Sequence, residues 1–166
     1  MSKIGFIGLG IMGRPMAGHL ADAGHEILTV VHNTPVPDEL ARKGVSVCDS
    51  PQAVAEQAEI VITMVPDTPD VETVLFGDNG VAGGIGEGKM VIDMSSISPI
   101  ATKSFAERIN ALGAEYVDAP VSGGEAGAKN AALTIMVGAT EAGFERARPL
   151  FDIMGKTVTH IGGNGD

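Results

Sequence analysis

The sequence has very little cysteine and no long apolar run. Its one cysteine, Cys48, has no partner with which to form a disulfide, which excludes a disulfide framework and is typical of a reducing compartment. No stretch approaches the roughly 18 consecutive apolar residues of a membrane-spanning helix, so we expect no membrane partner. No basic segment precedes the first apolar run, so we also expect no signal peptide and a cytoplasmic location.

Positive charge is also scarce. Lysine and arginine total 11 against 21 aspartates and glutamates, which gives a net charge of −10. This balance argues against a nucleic-acid partner, because binding to a phosphate backbone depends on basic side chains. Any anionic cofactor must therefore be held by local backbone dipoles rather than by the overall field of the protein. His19, His25 and His160 have no cysteine or carboxylate at metal-ligand spacing, so we expect no metal site.

The chain otherwise has an ordinary globular composition at the length of one domain. It has 166 residues, of which 44% are hydrophobic and 19% are charged. Such a chain is long enough to bury a full core and is short for two domains.

The first 20 residues carry the strongest motif. Residues 4–7 form an apolar run typical of a buried strand, and apolar residues at helical spacing begin at position 12. Between them lies G-x-G-x-x-G, in which Gly8 permits a tight turn, Gly10 lets a diphosphate approach the backbone, and Gly13 lets the helix pack near the strand. The free N–H groups and the positive dipole end of that helix would face the anion. A glycine turn without a ligand is the alternative. The predicted cofactor contacts of this turn are Gly8, Leu9, Gly10, Ile11, Met12 and Gly13.

Strands and helices alternate along the rest of the chain. The predicted strands cover residues 4–7, 27–31, 45–47, 60–65, 90–92, 115–118, 133–137 and 157–161. The helices between them start at serine or threonine N-caps and end at glycines in several places. This alternation predicts an α/β fold over residues 1–161, a Rossmann-like doubly wound and mostly parallel sheet with helices on both faces.

The end of the second strand bears on the choice of cofactor. An acidic residue there would hydrogen-bond the adenosine ribose, and an arginine would accommodate a 2′-phosphate, but the sequence has neither. It has His32, Asn33 and Thr34, whose neutral donors favour NADP slightly over NAD. We therefore predict NADP or NAD as cofactor, with these three residues at the adenosine ribose.

Two further loops follow strands whose carboxyl ends should lie beside the cofactor. In a doubly wound sheet, ligands bind outside these ends, which places Met64, Val65 and Pro66 against the cofactor. Packing of the strand end alone would explain the same residues. Ser95 and Ser96 lie in the next such loop, where their hydroxyls could contact the nicotinamide or its ribose, or could instead cap and turn the loop.

A third loop contains Ser122, Gly123 and Gly124. Two glycines after a serine leave backbone N–H groups uncovered beside a hydroxyl, which suits a small carboxylate. A plain turn explains the same residues, and the residues alone favour the turn.

Taken with their order, these segments resemble the β-hydroxyacid dehydrogenase family. The resemblance is carried by GLGIMGRPM at 8–16, MVPD at 64–67, DMSSISP at 93–99 and DAPVSGG at 118–124, and it spans the whole chain. It implies that Ser122, Gly123 and Gly124 bind the substrate carboxylate. It also implies that Ser96 lies beside the nicotinamide and that Val65 and Pro66 contact the cofactor.

The resemblance also implies a reaction. The middle segments are most similar to the branch of the family that reduces tartronate semialdehyde to glycerate by hydride transfer from NAD(P)H. The partner is then a small 3-hydroxy acid or semialdehyde, and the complete enzyme is a homo-oligomer. The alternatives are a non-catalytic dinucleotide-binding module and a reductase acting on 3-hydroxyisobutyrate, another semialdehyde or an imine.

The family places its catalytic lysine after a glycine-rich segment like residues 162–165. We therefore expect residues 162–166 to begin the connection to an absent C-terminal helical domain and the lysine to lie beyond Asp166. Lysine donates the proton that the forming alkoxide requires. Lys129 follows the carboxylate segment, but a solvated surface lysine is its expected identity. No catalytic residue is then predicted in this chain, and residues 1–166 are expected to be inactive alone.

Overall fold

The computed structural model describes residues 2–31 and 35–166. Within these ranges, the strands are β1 Lys3–Ile7, β2 Glu26–Val30, β3 Ser46–Cys48, β4 Ile60–Thr63, β5 Met90–Asp93, β6 Glu115–Asp118, β7 Val121–Ser122, β8 Leu133–Gly138 and β9 Gly155–Gly162. The helices are α1 Gly13–Asp22, α2 Asp38–Arg42, α3 Pro51–Gln57, α4 Thr68–Phe76, α5 Pro99–Asn110, α6 Gly124–Lys129 and α7 Glu141–Met154. A short 3₁₀ turn covers Val81–Gly83.

Six strands form a parallel sheet in the order β3-β2-β1-β4-β5-β6. This is the strand order of a dinucleotide-binding fold, with its crevice where the order reverses between β1 and β4. Beyond β6 the sheet continues with β8, which runs antiparallel to β6 and β7 and parallel to β9. The predicted α/β, Rossmann-like, mostly parallel sheet is confirmed.

Alternating side chains of the central strands fill two cores, one on each face of the sheet. Phe6 and Ile62 point into the core that α1 and α7 cover. Val61 and Val91 point into the opposite core, which α3, α4 and α5 cover. The strands are apolar on both faces because both faces are covered by helices, as parallel sheets require.

Several helices begin where short-range sequence signals place them. The hydroxyls of Ser50, Ser98 and Thr140 each accept a hydrogen bond from a backbone N–H three residues later, at 3.1, 3.3 and 3.0 Å. Asp67 caps α4 through a reciprocal capping box with Asp70. These caps satisfy donors that a helix N-terminus otherwise leaves free.

The segment after β6 differs from the prediction of a plain loop. Val121–Ser122 pairs with β8, and Gly124–Lys129 forms a helix that begins inside the predicted turn. Two glycines in six residues remove the apolar period that identifies a helix, so no helical pattern is visible in the sequence here. Within α6, the fully buried residue is Ala128, which anchors the helix on the core.

Two smaller features complete the fold. Strand β9 includes Gly162, one residue beyond the predicted boundary, and Asn164 hydrogen-bonds back to the backbone of Tyr116 and Gly138. Asn164 is therefore bonded to the sheet, and the continuation of the chain past residue 166 stays a prediction. In the described ranges, none of the helices combines the length and the apolar character needed to cross a bilayer.

Candidate functional site

The carboxyl ends of four central strands lie in one row. Ile7 is in register with Thr63, Thr63 with Asp93, and Asp93 with Asp118. The four loops that follow these strands therefore leave the sheet at the same level. This arrangement brings together the glycine turn, the loop after β4, the two serines after β5 and the segment after β6.

The glycine turn between β1 and α1 is held tightly by the protein itself. Gly8 has a φ of +113°, and a Cβ there would overlap the carbonyl of Met64. A Cβ on Gly13 would overlap the carbonyl oxygen of Gly8. From the helix side, the Nε–H of Arg14 donates to the Leu9 carbonyl at 2.9 Å. Gly8 and Gly13 are therefore glycines because the neighbouring backbone leaves no room.

Gly10 is different, because nothing lies within 4 Å of the position that its Cβ would take. Its φ is outside the left-handed region and the residue is exposed, so neither strain nor packing requires a glycine. Among the residues that the structure describes, none accepts a hydrogen bond from the N–H of Gly10, Ile11 or Met12, and α1 has no side-chain cap. A turn with open space and free donors at a helix N-terminus fits the diphosphate of a dinucleotide.

The loops after β4 and β5 are bonded to each other. The N–H of Val65 donates to the Ser95 hydroxyl at 2.9 Å, and the N–H of Ser98 donates to the Thr68 hydroxyl at 3.2 Å. Ser95 is buried and its hydroxyl accepts from Val65, so the structure shows it stabilising the loop, which is the second of the two roles predicted for it. Ser96 is exposed next to it and remains available to a ligand.

Met64, Val65 and Pro66 lie past the end of β4 rather than within it, since the strand stops at Thr63. Met64 is half-buried against the core under α1, and Val65 is half-buried against the opposite core. Pro66 is exposed. The packing interpretation therefore holds for Met64 and Val65, and the contact of this segment with a cofactor stays a prediction.

A buried carboxyl, Asp93, lies beneath these loops. It is 1% exposed and accepts hydrogen bonds from the Thr63 hydroxyl at 2.9 Å, the Ser95 N–H at 3.0 Å and the Tyr116 hydroxyl at 3.5 Å. Burial raises the pKa of Asp93, and the hydrogen bonds from Ser95 and Thr63 oppose that rise. Burial also raises the pKa of Tyr116, and the nearby charge of Asp93 adds to it.

A second carboxyl, Asp118, fixes the last residues of the chain. The side-chain amide of Asn164 donates to Asp118 Oδ1 at 2.9 Å, and the N–H of Gly165 donates to its two oxygens at 3.2 and 3.3 Å. Burial raises the pKa of Asp118, while the Asn164 bond lowers it. Neither carboxyl was predicted as a site residue from the sequence. The available signal was that each of two neighbouring apolar strands ends in an aspartate.

Ser122, Gly123 and Gly124 lie at the same edge and are exposed. Ser122 pairs with Thr134 of β8, and the two glycines have φ values of +128° and +61°. A Cβ on Gly124 would meet nothing within 4 Å. Here too a glycine has open space beside it, although the positive φ alone favours glycine.

The other predicted residues give a mixed result. Lys129 is a surface residue, 62% exposed and ion-paired with Glu125 at 2.9 Å. His32, Asn33 and Thr34, predicted at the adenosine ribose, lie outside the described residues. In the described part of the chain, no group of three or more histidine, cysteine, aspartate or glutamate side chains could hold a metal ion.

Comparison with known proteins adds the family context. Residues 3–162 match the family described as the NAD binding domain of 6-phosphogluconate dehydrogenase. The chain is 56% identical to the 2-hydroxy-3-oxopropionate reductase of Escherichia coli strain K12, over 99% of this chain and 56% of that protein. It is 42% identical to the mitochondrial 3-hydroxyisobutyrate dehydrogenase of Drosophila melanogaster, over 96% of this chain and 49% of that protein. The chain thus spans about half the length of these relatives.

Solved structures show the same relationship. The 3-hydroxyisobutyrate dehydrogenase of Mycobacterium tuberculosis, solved with L-serine, superposes with a TM-score of 0.91 at 34% identity, over 99% of this chain and 56% of that one. Psf3 in complex with NADP+ and 2-OPP superposes with a TM-score of 0.92 at 26% identity, over 98% of this chain and 58% of that one. The matched portion is in each case a little over half of the solved chain.

Proposed function

The chain belongs to the β-hydroxyacid dehydrogenase family, and it matches the NAD-binding domain described for 6-phosphogluconate dehydrogenase. From this we propose that it is the cofactor domain of a tartronate semialdehyde reductase. The product of that reaction is glycerate. The observation that carries the proposal is the open space and the free N–H groups at Gly10. The substrate rests on the 56% identity to 2-hydroxy-3-oxopropionate reductase.

Each loop at the carboxyl edge of the sheet has a proposed role in binding the cofactor or the substrate. The turn from Gly8 to Gly13 holds the diphosphate through backbone N–H groups. Met64, Val65, Pro66 and Ser96 contact the nicotinamide half. When bound, the reduced nicotinamide supplies the hydride.

The substrate is held at the neighbouring segment. Ser122, Gly123 and Gly124 bind its carboxylate through the serine hydroxyl and backbone N–H groups. The aldehyde carbon at the other end of the substrate would then face the nicotinamide. Ser122→Ala in the complete enzyme is expected to raise KM about tenfold while kcat falls less than twofold, since the lost hydrogen bond to a charged group acts on binding. Steady-state kinetics check this, and a wild-type KM would remove the carboxylate role.

The nucleotide preference rests on His32, Asn33 and Thr34. Three neutral donors in place of an acidic residue favour a 2′-phosphate slightly over a bare hydroxyl pair, so we propose NADP ahead of NAD. Calorimetry with NADPH and NADH tests this preference, and NADH binding at least tenfold tighter would contradict it.

We propose that the proton donor for the reaction, a lysine, is not among residues 1–166. Hydride addition to an aldehyde leaves a charged oxygen that must be protonated. Lys129, the lysine nearest in sequence to the carboxylate segment, is exposed and paired with Glu125. We therefore propose that the natural chain continues past Asp166 into a helical domain that supplies the lysine and forms the homo-oligomer, and that residues 1–166 alone are inactive.

The proposal is tested on the longer reading frame, with the 166-residue chain as the matched control. We expect the longer protein to oxidise NADPH fastest with tartronate semialdehyde, more slowly with methylmalonate and succinate semialdehydes, and the control to show no turnover. A higher kcat/KM with methylmalonate semialdehyde would favour a 3-hydroxyisobutyrate dehydrogenase. A native stop codon after Asp166 together with NADPH binding would favour a non-catalytic dinucleotide-binding module.

A further inference from the structure

The side chain of His19 joins two helices that are distant in sequence. It lies in α1 and its Nε2 is 2.9 Å from the carbonyl oxygen of Ala128 and 3.0 Å from that of Lys129, at the end of α6. Both carbonyl oxygens can only accept, so Nε2 carries a proton and donates to both. The two carbonyls belong to the last turn of a helix, where acceptors have no partner within the helix.

Helix α6 has little stability of its own. It has six residues, including two glycines, and its N-cap makes no side-chain hydrogen bond. Helices this short are marginal without tertiary contacts, and Gly127 inside the helix costs about 1 kcal/mol relative to alanine. Its ion pair between Glu125 and Lys129 is exposed on both sides and contributes little. Its position is fixed by the burial of Ala128, by the N–H of Ala132, which donates to the Gly127 carbonyl at 2.8 Å, and by the bonds from His19.

The opposite end of α6 is the proposed carboxylate segment. Gly123 is its N-cap and Gly124 its first residue, and Ser122 precedes them. Helix α1, which carries His19, starts directly after the glycine turn that holds Gly10. One side chain thus connects the helix that begins at the proposed cofactor site with the helix that begins at the proposed substrate site.

We propose that His19 is a positioning residue that anchors the C-terminal end of α6 on α1 and thereby fixes Ser122, Gly123 and Gly124 relative to the cofactor turn. The part that concerns substrate rests on the proposed function. The part that concerns α6 rests on the hydrogen bonds of His19 alone. The two parts call for separate measurements.

The first measurement is hydrogen–deuterium exchange on the 166-residue chain. His19→Leu supplies an apolar side chain of similar size but removes the donor, and His19→Gln keeps an N–H donor. We expect the amides of Gly127 and of the C-cap residue Asn130, which donate to carbonyls one turn earlier, to exchange about tenfold faster in His19→Leu and at the wild-type rate in His19→Gln, because only the first variant loses the bonds from residue 19. Amides of α5 and α7 should not change in either.

His25→Leu is the control for this measurement. His25 accepts a hydrogen bond from the N–H of Ser2 at 3.2 Å and makes no hydrogen bond to α6. Its loss should leave exchange in α6 unchanged. Wild-type exchange of α6 in His19→Leu, or equal acceleration in His19→Leu and His19→Gln, would overturn the anchoring role.

The second measurement is made on the longer enzyme. We expect His19→Leu to raise the KM for the semialdehyde about fivefold to tenfold, with His19→Gln restoring it and the Kd of NADPH changing less than twofold. An unchanged KM alongside faster exchange in α6 would overturn the positioning of the substrate segment. If the wild-type enzyme reduces no semialdehyde, the proposed function fails, and the exchange result alone decides whether His19 anchors α6.

Discussion

The three glycines of the first turn are glycines for different physical reasons. At Gly8 and Gly13 an added Cβ would overlap a backbone carbonyl, of Met64 and of Gly8 respectively. At Gly10 the protein offers open space. Two of the glycines therefore serve the packing of β1, β4 and α1, whereas nothing in the described part of the chain requires a glycine at position 10. The spacing G-x-G-x-x-G predicted the turn, but a spacing alone does not separate these cases.

This difference predicts the behaviour of Gly10→Val. The valine side chain would enter open space, so we expect Tm to stay within about 2 °C of wild type, as for surface substitutions. It would occupy the volume proposed for the diphosphate, so the Kd of NADPH should rise at least about 100-fold. Calorimetry and thermal melts measure the two effects. Gly13→Val is the control and should lower Tm clearly; unchanged NADPH affinity in Gly10→Val would contradict the cradle.

The buried carboxyl of Asp93 predicts a pH dependence of stability. Burial raises its pKa in the folded state, so its contribution to stability is fully present below the ordinary pKa of aspartate and is lost as the pH rises through the folded value. In Asp93→Asn, Oδ1 can still accept from Thr63 and Ser95 and the amide can donate to Tyr116. We expect the variant to be more stable than wild type near pH 7.

The same argument gives the control. Between about pH 7 and about pH 4, the difference in unfolding free energy between Asp93→Asn and wild type should shrink, because the wild-type carboxyl takes up its proton. Urea denaturation at several pH values measures this difference. A difference that is constant with pH, or a variant that is less stable near pH 7, would show that the carboxylate is stabilised by its three donors.

At the scale of the elements, local signals and tertiary contacts account for different parts of the fold. Helix α3 begins at a serine N-cap, as the sequence predicts, because the Ser50 side chain accepts from the N–H of Ala53 and Pro51 fits the first helical position. Strand β7 and helix α6 have no such local signal. They are held instead by contacts with residues distant in sequence, namely strand β8 and His19, and by the burial of Ala128. Elements that depend on distant residues need no local cap or apolar period, which is why the sequence does not reveal them.

The cap of α7 allows an element to be tested alone. The Thr140 hydroxyl accepts from the N–H of Gly143 at 3.0 Å. Thr140→Ala leaves that donor without its partner and should lower the unfolding free energy by about 1 kcal/mol, or Tm by about 2 to 4 °C. Thr140→Ser keeps the hydroxyl and should remain near wild type. A loss in Thr140→Ser equal to that in Thr140→Ala would assign the effect to the methyl group instead.

For the whole molecule, the class of the fold could be predicted and its long-range connections could not. Alternating strands and helices predict a doubly wound sheet. They do not show that β8 runs antiparallel beside β6, nor that Asn164 reaches Asp118, 46 residues away, at the carboxyl edge. Such contacts leave no periodic pattern. The candidate site was therefore predicted loop by loop, and the alignment of Ile7, Thr63, Asp93 and Asp118 shows how those loops meet.

The net charge of −10 makes a prediction about how the whole chain meets an anion. If backbone N–H groups hold the diphosphate, acidic side chains elsewhere repel the nucleotide and salt screens that repulsion. Raising KCl from about 0.01 M to about 0.15 M shortens the screening length from about 30 to about 8 Å, so the Kd of NADH should stay constant or fall. Calorimetry across this range measures it. A Kd that rises tenfold or more would mean that lysine and arginine side chains, rather than the turn at Gly10, supply the attraction.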